Sequence, residues 1–445
     1  MDSPRAEQAP VPASSARPGH SPAGGDEVLR TAVAAGGFPL TAALALLTST
    51  IVPAYVVRWH IGPLPTTLLE SGILLTLAAC LLESFRAGTW PRWRSPLTVP
   101  AALFLVVGLV SVVVAPDRHA ALGLYRAYLL EPIAFGLVLF NVVTTARRAA
   151  MIVGALAAGA TVAGVANAVV VLAALRNHDF DVLNTPPVVI YNTANAVALY
   201  VVPLIAVAGA MVLHWPSRRG RVAAAGFLLV GLGSVLLSFS RGGYLALGAV
   251  AIGLALSHRR RWPLLIGAAV IAIAVIQIPV IGHRVRGEID LNDPHNTLVG
   301  RFHLWSAALA MLRDHPIFGA GLSGFATKLA PYWNPTHTDR FTYPHNILLN
   351  FWSETGLAGV VAFAWIMVAG FARAWRGWRQ AAPGWRAIHL GVLLALVAVV
   401  VHGLVDVPYW KNDLSLEFWV LLALAFAPAT SGELAATPEM AANLA

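Results

Sequence analysis

Residues 222–257 form an almost uninterrupted apolar run, far too long for one crossing of a bilayer, which needs about 20 residues. Both flanks are basic, with three arginines within residues 218–221 and three more at 259–261. Basic residues favour the cytoplasmic side of a membrane, so both ends of the run are expected on that side. The run must therefore turn back on itself. Its only polar break, residues 238–243 with Arg241, is expected at the outer surface.

Composition extends this argument to the whole chain. Of its 445 residues, 58% are hydrophobic and 11% are charged, whereas a soluble domain has about 25% charged residues. Long apolar runs that satisfy their own backbone hydrogen bonds in lipid form helices. The predicted fold class is therefore all-α, a polytopic membrane bundle of about twelve transmembrane helices with one large structured outer loop. The predicted spans are residues 37–57, 64–84, 97–115, 127–145, 149–175, 190–214, 222–239, 242–257, 262–282, 354–373, 387–408 and 413–428.

These spans divide the chain into five parts. Residues 1–30 are predicted to be a disordered cytoplasmic tail rather than a signal peptide, because the first apolar run begins late. Nine spans occupy 31–282, the large outer loop with surface helices occupies 283–353, and three more spans occupy 354–430. Residues 431–445 form a second cytoplasmic tail. Basic residues concentrate on the inner side, so membrane topology explains the net charge of +9 and no nucleic-acid partner is expected.

Three residues on the outer side are candidates for chemistry. Arg241 lies in the membrane hairpin, where an unpaired cation is costly. Arg301 lies in a helical pattern of the outer loop, and His345 lies just before the next span. Guanidinium groups match phosphate oxygens in pairs, and histidine transfers protons near neutral pH. The set suits a diphosphate-linked lipid and a hydroxyl nucleophile. In the structural alternative, the arginines are a snorkelling anchor and a helix cap, and the histidine is structural.

The helical pattern near Arg301 predicts one apolar face made of Phe302, Trp305, Leu309 and Leu312. Pro316 is expected to end this helix. The helix is expected to lie along the membrane surface or to pack on the bundle.

Acidic residues near these candidates could support them. Glu354 follows His345 by nine residues, so the two can be partners only if a helix starts between them. Arg126 is a supporting candidate with Glu131 close in sequence. Glu70 lies in a predicted span and should be paired, although the sequence does not name its partner.

A metal site has weak support in the sequence. Asp179 and Asp181 resemble the Asp-x-Asp of metal-dependent glycosyltransferases, but a solvated loop explains this short pattern better. The single cysteine, Cys80, excludes a multi-cysteine zinc site. The sequence contains neither a Walker phosphate loop nor a Gly-x-Ser-x-Gly nucleophile motif. No metal and no other cofactor are expected.

Three segments together resemble the signatures of the O-antigen ligase and polymerase superfamily. They are Ser238–Leu245, Gly300–Gly321 and Pro344–Gly356, and their order and spacing match the family pattern. The number of spans and the single late loop match as well. A weaker likeness lies in Tyr191–Asn195. The resemblance extends over about residues 60–430.

This resemblance implies a function. Such proteins take a glycan from undecaprenyl diphosphate at the periplasmic face of the bacterial inner membrane, and ligases transfer it to a sugar hydroxyl of the lipid A core, without metal and with inversion. By resemblance, Arg241 and Arg301 would hold the diphosphate and His345 would activate or orient the acceptor hydroxyl. Asn195 and Trp305 would be supporting residues. The implied partners are the lipid-linked glycan, the lipid A core and membrane lipids. Both termini are expected in the cytoplasm, and the large loop is expected in the periplasm.

Other functions stay open. An O-antigen polymerase shares the donor but extends another lipid-linked chain. A protein O-oligosaccharyltransferase of the same superfamily usually has an additional periplasmic domain, and the short segment after the last predicted span disfavours it. A secondary transporter or lipid flippase would fit twelve spans, but the halves show no repeat.

Overall fold

The computed structural model describes residues 38–62, 64–179, 186–288, 290, 296–334 and 342–427. The predicted tails, 1–30 and 431–445, lie outside these residues. Most of the described chain is helical, which confirms the all-α fold class. Two short strands, β1 (Arg58–Ile61) and β2 (Leu64–Thr67), form an antiparallel hairpin that the sequence analysis did not predict.

The described residues contain sixteen α-helices, one π-helical turn and two short 3-10 helices, Val52–Val56 and Ala330–Tyr332. The first half of the described chain contains α1 (Pro39–Thr50), α2 (Leu68–Ala87), α3 (Thr98–Val114), α4 (Arg118–Tyr125), the π-helical turn Arg126–Leu130, α5 (Glu131–Val142), α6 (Ala146–Arg176) and α7 (Ala194–His214). The second half contains α8 (Arg218–Leu237), α9 (Arg241–Ser257), α10 (Arg261–Ile276), α11 (Pro279–Gly287), α12 (Thr297–Asp314), α13 (Phe325–Leu329), α14 (Ile347–Gln380), α15 (Pro383–Gly403) and α16 (Asn412–Phe426).

Seven helices of the described chain are long and apolar enough to cross a membrane. They are α2, the continuous segment Arg118–Val142, α6, α7, α8, α14 and α15. An eighth would be α10 together with Ile281–Gly287, which meet at a bend of 92°, and α1, α3 and α9 are shorter apolar helices. The protein is thus a multi-pass membrane protein, while the total of about twelve spans stays a prediction.

The long apolar run is broken where the sequence predicts. Helix α8 ends at Leu237 and α9 begins at Arg241. The Ser240 side chain caps α9 by accepting a hydrogen bond from the Gly243 amide at 3.1 Å. A Cβ at Gly242 would lie 2.8 Å from the His402 ring, so glycine here allows α9 to begin directly against α15. This close approach brings Arg241 to the end of α15.

The core of the bundle lies around α7, α15 and α16. The apolar window of α7 is 89% buried, more than that of any other described span. It packs against α15 and α8, while α16 packs against α5. The start of α7, the end of α15 and the loop before α16 therefore meet at one end of the bundle, and the candidate site lies there.

The segment expected to be a large outer loop with surface helices contains α11, α12 and α13. Helix α12 was expected to have one apolar face, made of Phe302, Trp305, Leu309 and Leu312, and to lie along the membrane surface or pack on the bundle. Of these four side chains only Leu312 is fully buried in the protein. Phe302 is 54% exposed and Leu309 is 40% exposed. Hydrocarbon lipid is as apolar as leucine, so an apolar pattern in a membrane protein does not have to face the protein core. The buried stripe is instead Leu304, Ala307, Ala308, Met311 and Leu312, packed against Ala320 and Phe325.

A break in α14 attaches this outer segment to the bundle. Gly356 adopts φ 68°, and a Cβ there would lie 2.2 Å from the carbonyl oxygen of Ile317. The Leu357 amide donates to Ile317 at 3.0 Å, and the Ala320 amide donates to the Ser353 carbonyl at 2.6 Å. These backbone bonds fix the position of the loop after α12 relative to α14.

Candidate functional site

A small polar pocket of about 70 Å³ lies at the end of the bundle where α7, α9 and α15 meet. Three arginines line it, Arg241 at the start of α9, Arg284 in α11 and Arg301 in α12. Asn195 and Asp406 line the same pocket. The structure thus brings together the two arginines expected to hold a diphosphate and adds a third that the sequence analysis did not name. We call this the arginine pocket.

Arg241 forms an ion pair with Glu288, and both side chains are largely buried. Its Nη1 also donates to the Thr297 hydroxyl at 3.1 Å, and Arg301 Nη1 donates to the same hydroxyl at 3.2 Å. The hydroxyl in turn donates to Glu288 Oε1 at 2.6 Å. One threonine therefore connects the two arginines that the sequence pattern singled out.

The N-terminus of α12 faces the same carboxylate. The amides of Thr297 and Leu298 donate to Glu288 at 3.2 and 3.1 Å. Asn296 caps the helix through its own side chain, which accepts from Leu298 at 2.9 Å. A helix N-terminus beside guanidinium groups is an arrangement that binds anions.

Arg284 is half-buried, and its Nε and Nη1 are buried with no hydrogen-bond partner in the described part of the chain. A buried polar group without a partner costs about 1–3 kcal/mol. An anion in the arginine pocket would supply that partner. In the sequence, Arg284 is marked only as a basic residue just after the predicted span 262–282. Arg286 has the same property, so the sequence does not distinguish the two arginines.

His345 pairs with an acid that the sequence analysis missed. Its Nδ1 lies 3.4 Å from Asp406 Oδ1, and Asn195 Nδ2 donates to Asp406 Oδ2 at 3.1 Å. Burial would raise the pKa of Asp406, but its hydrogen bond with His345 and the charges of His345, His402 and Arg301 outweigh this effect and lower it to about 2. Asp406 is therefore an ionised partner for the imidazole.

The segment around His345 is held in place on both sides. The Trp305 indole donates to the Pro344 carbonyl at 2.8 Å. The Asn346 side chain caps α14 by accepting from the Leu348 and Leu349 amides and donates to the Leu404 carbonyl at 3.1 Å. His345 itself adopts φ 48°, which is uncommon for a residue other than glycine and is found at functional sites.

Residues 225–364 match the sequence family described as O-Antigen ligase. This match covers about a third of the chain, and over these residues the protein is similar to the O-antigen ligase superfamily. A search of the curated proteins found no match. The matched segment includes Arg241, Arg284, Arg301 and His345, whereas Asn195 and Asp406 lie outside it. The family is glycosyltransferase-like.

Two supporting candidates, Glu354 and Arg126, have partners other than His345 and Asp406. Helix α14 does start between His345 and Glu354, but Glu354 accepts a hydrogen bond from the Ser323 amide at 2.6 Å. Arg126 belongs to a separate buried cluster, in which it contacts Glu70 at 2.7 Å and Glu131 at 3.2 Å. Arg126 is therefore the partner of Glu70 that could not be identified from the sequence. Asn412 also donates a hydrogen bond to Glu70.

Only the first residue of the possible Asp-x-Asp motif lies within the described residues. Asp179 follows the end of α6, and Asp181 lies outside the described residues. Across residues 38–427, as far as they are described, no group of three or more His, Cys, Asp or Glu side chains has the arrangement of a metal site.

Proposed function

We propose that the protein is an O-antigen ligase. It transfers a glycan from undecaprenyl diphosphate to a sugar hydroxyl of the lipid A core at the periplasmic face of the bacterial inner membrane. Similarity to the O-antigen ligase superfamily and the multi-pass helical fold support the lipid-linked class of substrate. The observation that carries the proposal is the arginine pocket directly beside the His345–Asp406 pair.

The arginine pocket suits the leaving group. A lipid diphosphate carries negative charge that increases as the glycosidic bond breaks. Arg241, Arg284 and Arg301 are cations fixed in place before the reaction, which is the arrangement that stabilises developing charge most effectively. Guanidinium donors can thereby supply the charge neutralisation that a metal provides in other transferases, and we propose a metal-independent reaction.

The His345–Asp406 pair suits the acceptor. With Nδ1 oriented by the Asp406 carboxylate, the other ring nitrogen is placed to take a proton from a hydroxyl. The acceptor oxygen forms a bond to the anomeric carbon of the donor sugar while the bond from that carbon to the phosphate oxygen breaks. The electron pair leaves with the lipid diphosphate, the hydroxyl proton goes to His345, and attack opposite the leaving group inverts the anomeric centre.

A reconstituted reaction tests this proposal. Purified full-length protein, undecaprenyl-diphosphate glycan and lipid A core are expected to give a lipopolysaccharide of higher mass without ATP and in the presence of EDTA. Arg301→Gln should lower the rate roughly 10²–10³-fold. Arg313→Gln, which removes an exposed arginine from the far end of the same helix, should leave the rate unchanged.

The products and conditions separate the alternatives. Elongated lipid-linked glycan without core-linked product would replace the ligase by an O-antigen polymerase. Loss of activity in EDTA would overturn the metal-independent reaction. Transfer of glycan to a pilin-like protein only would identify a protein O-oligosaccharyltransferase, and movement of donor across the bilayer without transfer would identify a flippase.

A further inference from the structure

A second cavity of about 320 Å³ adjoins the arginine pocket at Asp406, which lines both. Tyr343 also lines this cavity, and its ring lies 4.3 Å from that of His345, centre to centre. The cavity therefore begins beside the candidate base. Its volume is at the lower end of the range for small-molecule sites, about 300–1,000 Å³.

Two hydrogen-bond donors in the wall of this cavity are unused. Asn350 is 1% exposed, and neither its Nδ2 nor the buried Trp410 Nε1 has a hydrogen-bond partner among the residues described. Each buried donor without a partner costs about 1–3 kcal/mol. The cavity is large enough for a ligand whose oxygens would accept these hydrogen bonds.

The remaining wall combines acidic acceptors with aromatic rings. Glu354 and Asp406 supply carboxylate oxygens, while Tyr128 and Trp410 supply ring surfaces in an edge-to-face pair 6.0 Å apart. A sugar ring has hydroxyls that both donate and accept, and it has apolar C–H faces that pack on aromatic rings. The wall thus matches the groups of a sugar. Lys411 also lines the cavity and can donate to a hydroxyl oxygen. The wall does not suit a hydrocarbon chain, which would leave these donors unpaired.

We propose that this cavity binds the acceptor sugar, which is the sugar unit whose hydroxyl attacks the donor. This proposal rests on the proposed function. Inversion requires the acceptor and the leaving diphosphate to lie on opposite sides of the anomeric carbon. The arginine pocket provides the place for the diphosphate, and the cavity adjoins it where Asp406 and His345 meet. We name it the acceptor cavity.

Steady-state kinetics with both substrates test this assignment. Asn350→Leu keeps a branched side chain and Trp410→Phe keeps an aromatic ring, while each substitution removes the hydrogen-bond donor. Each should raise the KM for lipid A core by roughly tenfold, which corresponds to about 1.4 kcal/mol for one lost hydrogen bond. The KM for undecaprenyl-diphosphate glycan and the affinity for inorganic pyrophosphate should not change.

Matched substitutions elsewhere control for damage to the fold. Asn167→Leu replaces a 2%-exposed amide in α6, outside the acceptor cavity, and Trp375→Phe replaces a tryptophan near the far end of α14. Both should leave the two KM values unchanged. If the cavity variants raise the KM for the donor instead, or raise neither KM, the assignment of the cavity to the acceptor is overturned.

Direct binding separates failure of this inference from failure of the proposed function. Core oligosaccharide released from lipid A should bind the full chain in detergent, and Asn350→Leu should weaken that binding about tenfold. This measurement does not depend on turnover. Binding without transfer would leave the acceptor cavity supported and the ligase reaction refuted. Transfer with equal binding by wild type and Asn350→Leu would refute the cavity and support the reaction.

Discussion

Glu288 and Arg241 form an ion pair at the N-terminus of α12, the helix that also contains Arg301. The same carboxylate accepts hydrogen bonds from the amides of Thr297 and Leu298. An acidic side chain of the protein therefore occupies a site built from a guanidinium and a helix N-terminus. A phosphate group that contacts Arg241 has to compete with this carboxylate.

Removal of that competitor should strengthen anion binding. Glu288→Gln keeps the shape of the side chain but loses its charge, so Arg241 becomes available to a phosphate. We expect inorganic pyrophosphate to bind roughly tenfold more tightly, a difference of about 1.4 kcal/mol. Asp290→Asn changes the net charge equally at an exposed position nearby and should leave the dissociation constant unchanged. Weaker binding by Glu288→Gln would mean that Glu288 positions Arg241 instead of competing for it.

Arg284 should contribute to the same binding site. Its buried guanidinium nitrogens line the arginine pocket, and Arg284→Gln removes the charge there. We expect the rate of glycan transfer to fall roughly 10²-fold. Arg284→Lys should recover only part of it, because an ammonium group lacks the planar fork of a guanidinium.

The neighbouring Arg286 supplies the control for this experiment. It lies two residues away and is exposed, and its Nε donates to the Gly282 carbonyl at 3.1 Å. Arg286→Gln should therefore transfer glycan at the wild-type rate. Equal losses in the two glutamine variants would indicate that net positive charge matters, not the arginine pocket.

The features that could be predicted from the sequence depend on properties of short segments. The break before Arg241 follows from bilayer thickness and two basic flanks, both of which are properties of one short segment. The helical class follows in the same way. The buried face of α12 could not be predicted, because its apolar pattern does not distinguish lipid from protein as a neighbour. Phe302 and Leu309 belong to the predicted apolar face but are exposed, whereas Leu304 and Met311 are buried.

The partner of His345 shows the other limit. Asp406 lies 61 residues further on, and no local rule pairs two residues at that separation. A signal was nevertheless present, since the predicted span 387–408 placed His402 and Asp406 inside the membrane, where ionisable residues are usually functional. The structure ends α15 at Gly403, so Asp406 lies in the loop that follows. Arg284 had no comparable signal.

Asp406→Asn should slow transfer without weakening the binding of pyrophosphate. The amide keeps the size of the side chain but cannot favour the imidazolium that forms when His345 takes a proton. We expect kcat to fall about 10²–10⁴-fold, the usual range for loss of acid–base assistance. Glu83→Gln, which neutralises a buried carboxylate that binds Thr41 in the first part of the bundle, controls for loss of a buried charge. A normal kcat in Asp406→Asn would remove the carboxylate from the mechanism.

The lowered pKa of Asp406 also predicts how stability depends on pH. Its folded pKa of about 2 lies below the value of about 3.9 in an unfolded chain. The ionised carboxylate therefore stabilises the fold above about pH 4, and this contribution disappears as the pH falls towards 2. The Tm of the wild type should exceed that of Asp406→Asn at pH 6, and the gap should shrink between pH 4 and 2. A gap that is constant across this range would contradict the low pKa.

Trp305 should act as a positioning residue for His345. Trp305→Phe keeps an aromatic ring but removes the hydrogen bond from the indole to the Pro344 carbonyl. One neutral hydrogen bond contributes about 0.5–1.5 kcal/mol, so kcat should fall roughly 3–10-fold while both KM values stay the same. Trp352→Phe removes an equivalent bond, from an indole to the Pro316 carbonyl at 2.7 Å, and should leave kcat unchanged. Both variants lose the same kind of hydrogen bond, so a general loss of stability would lower kcat in both. A lower kcat in Trp305→Phe alone would show that Trp305 orients His345.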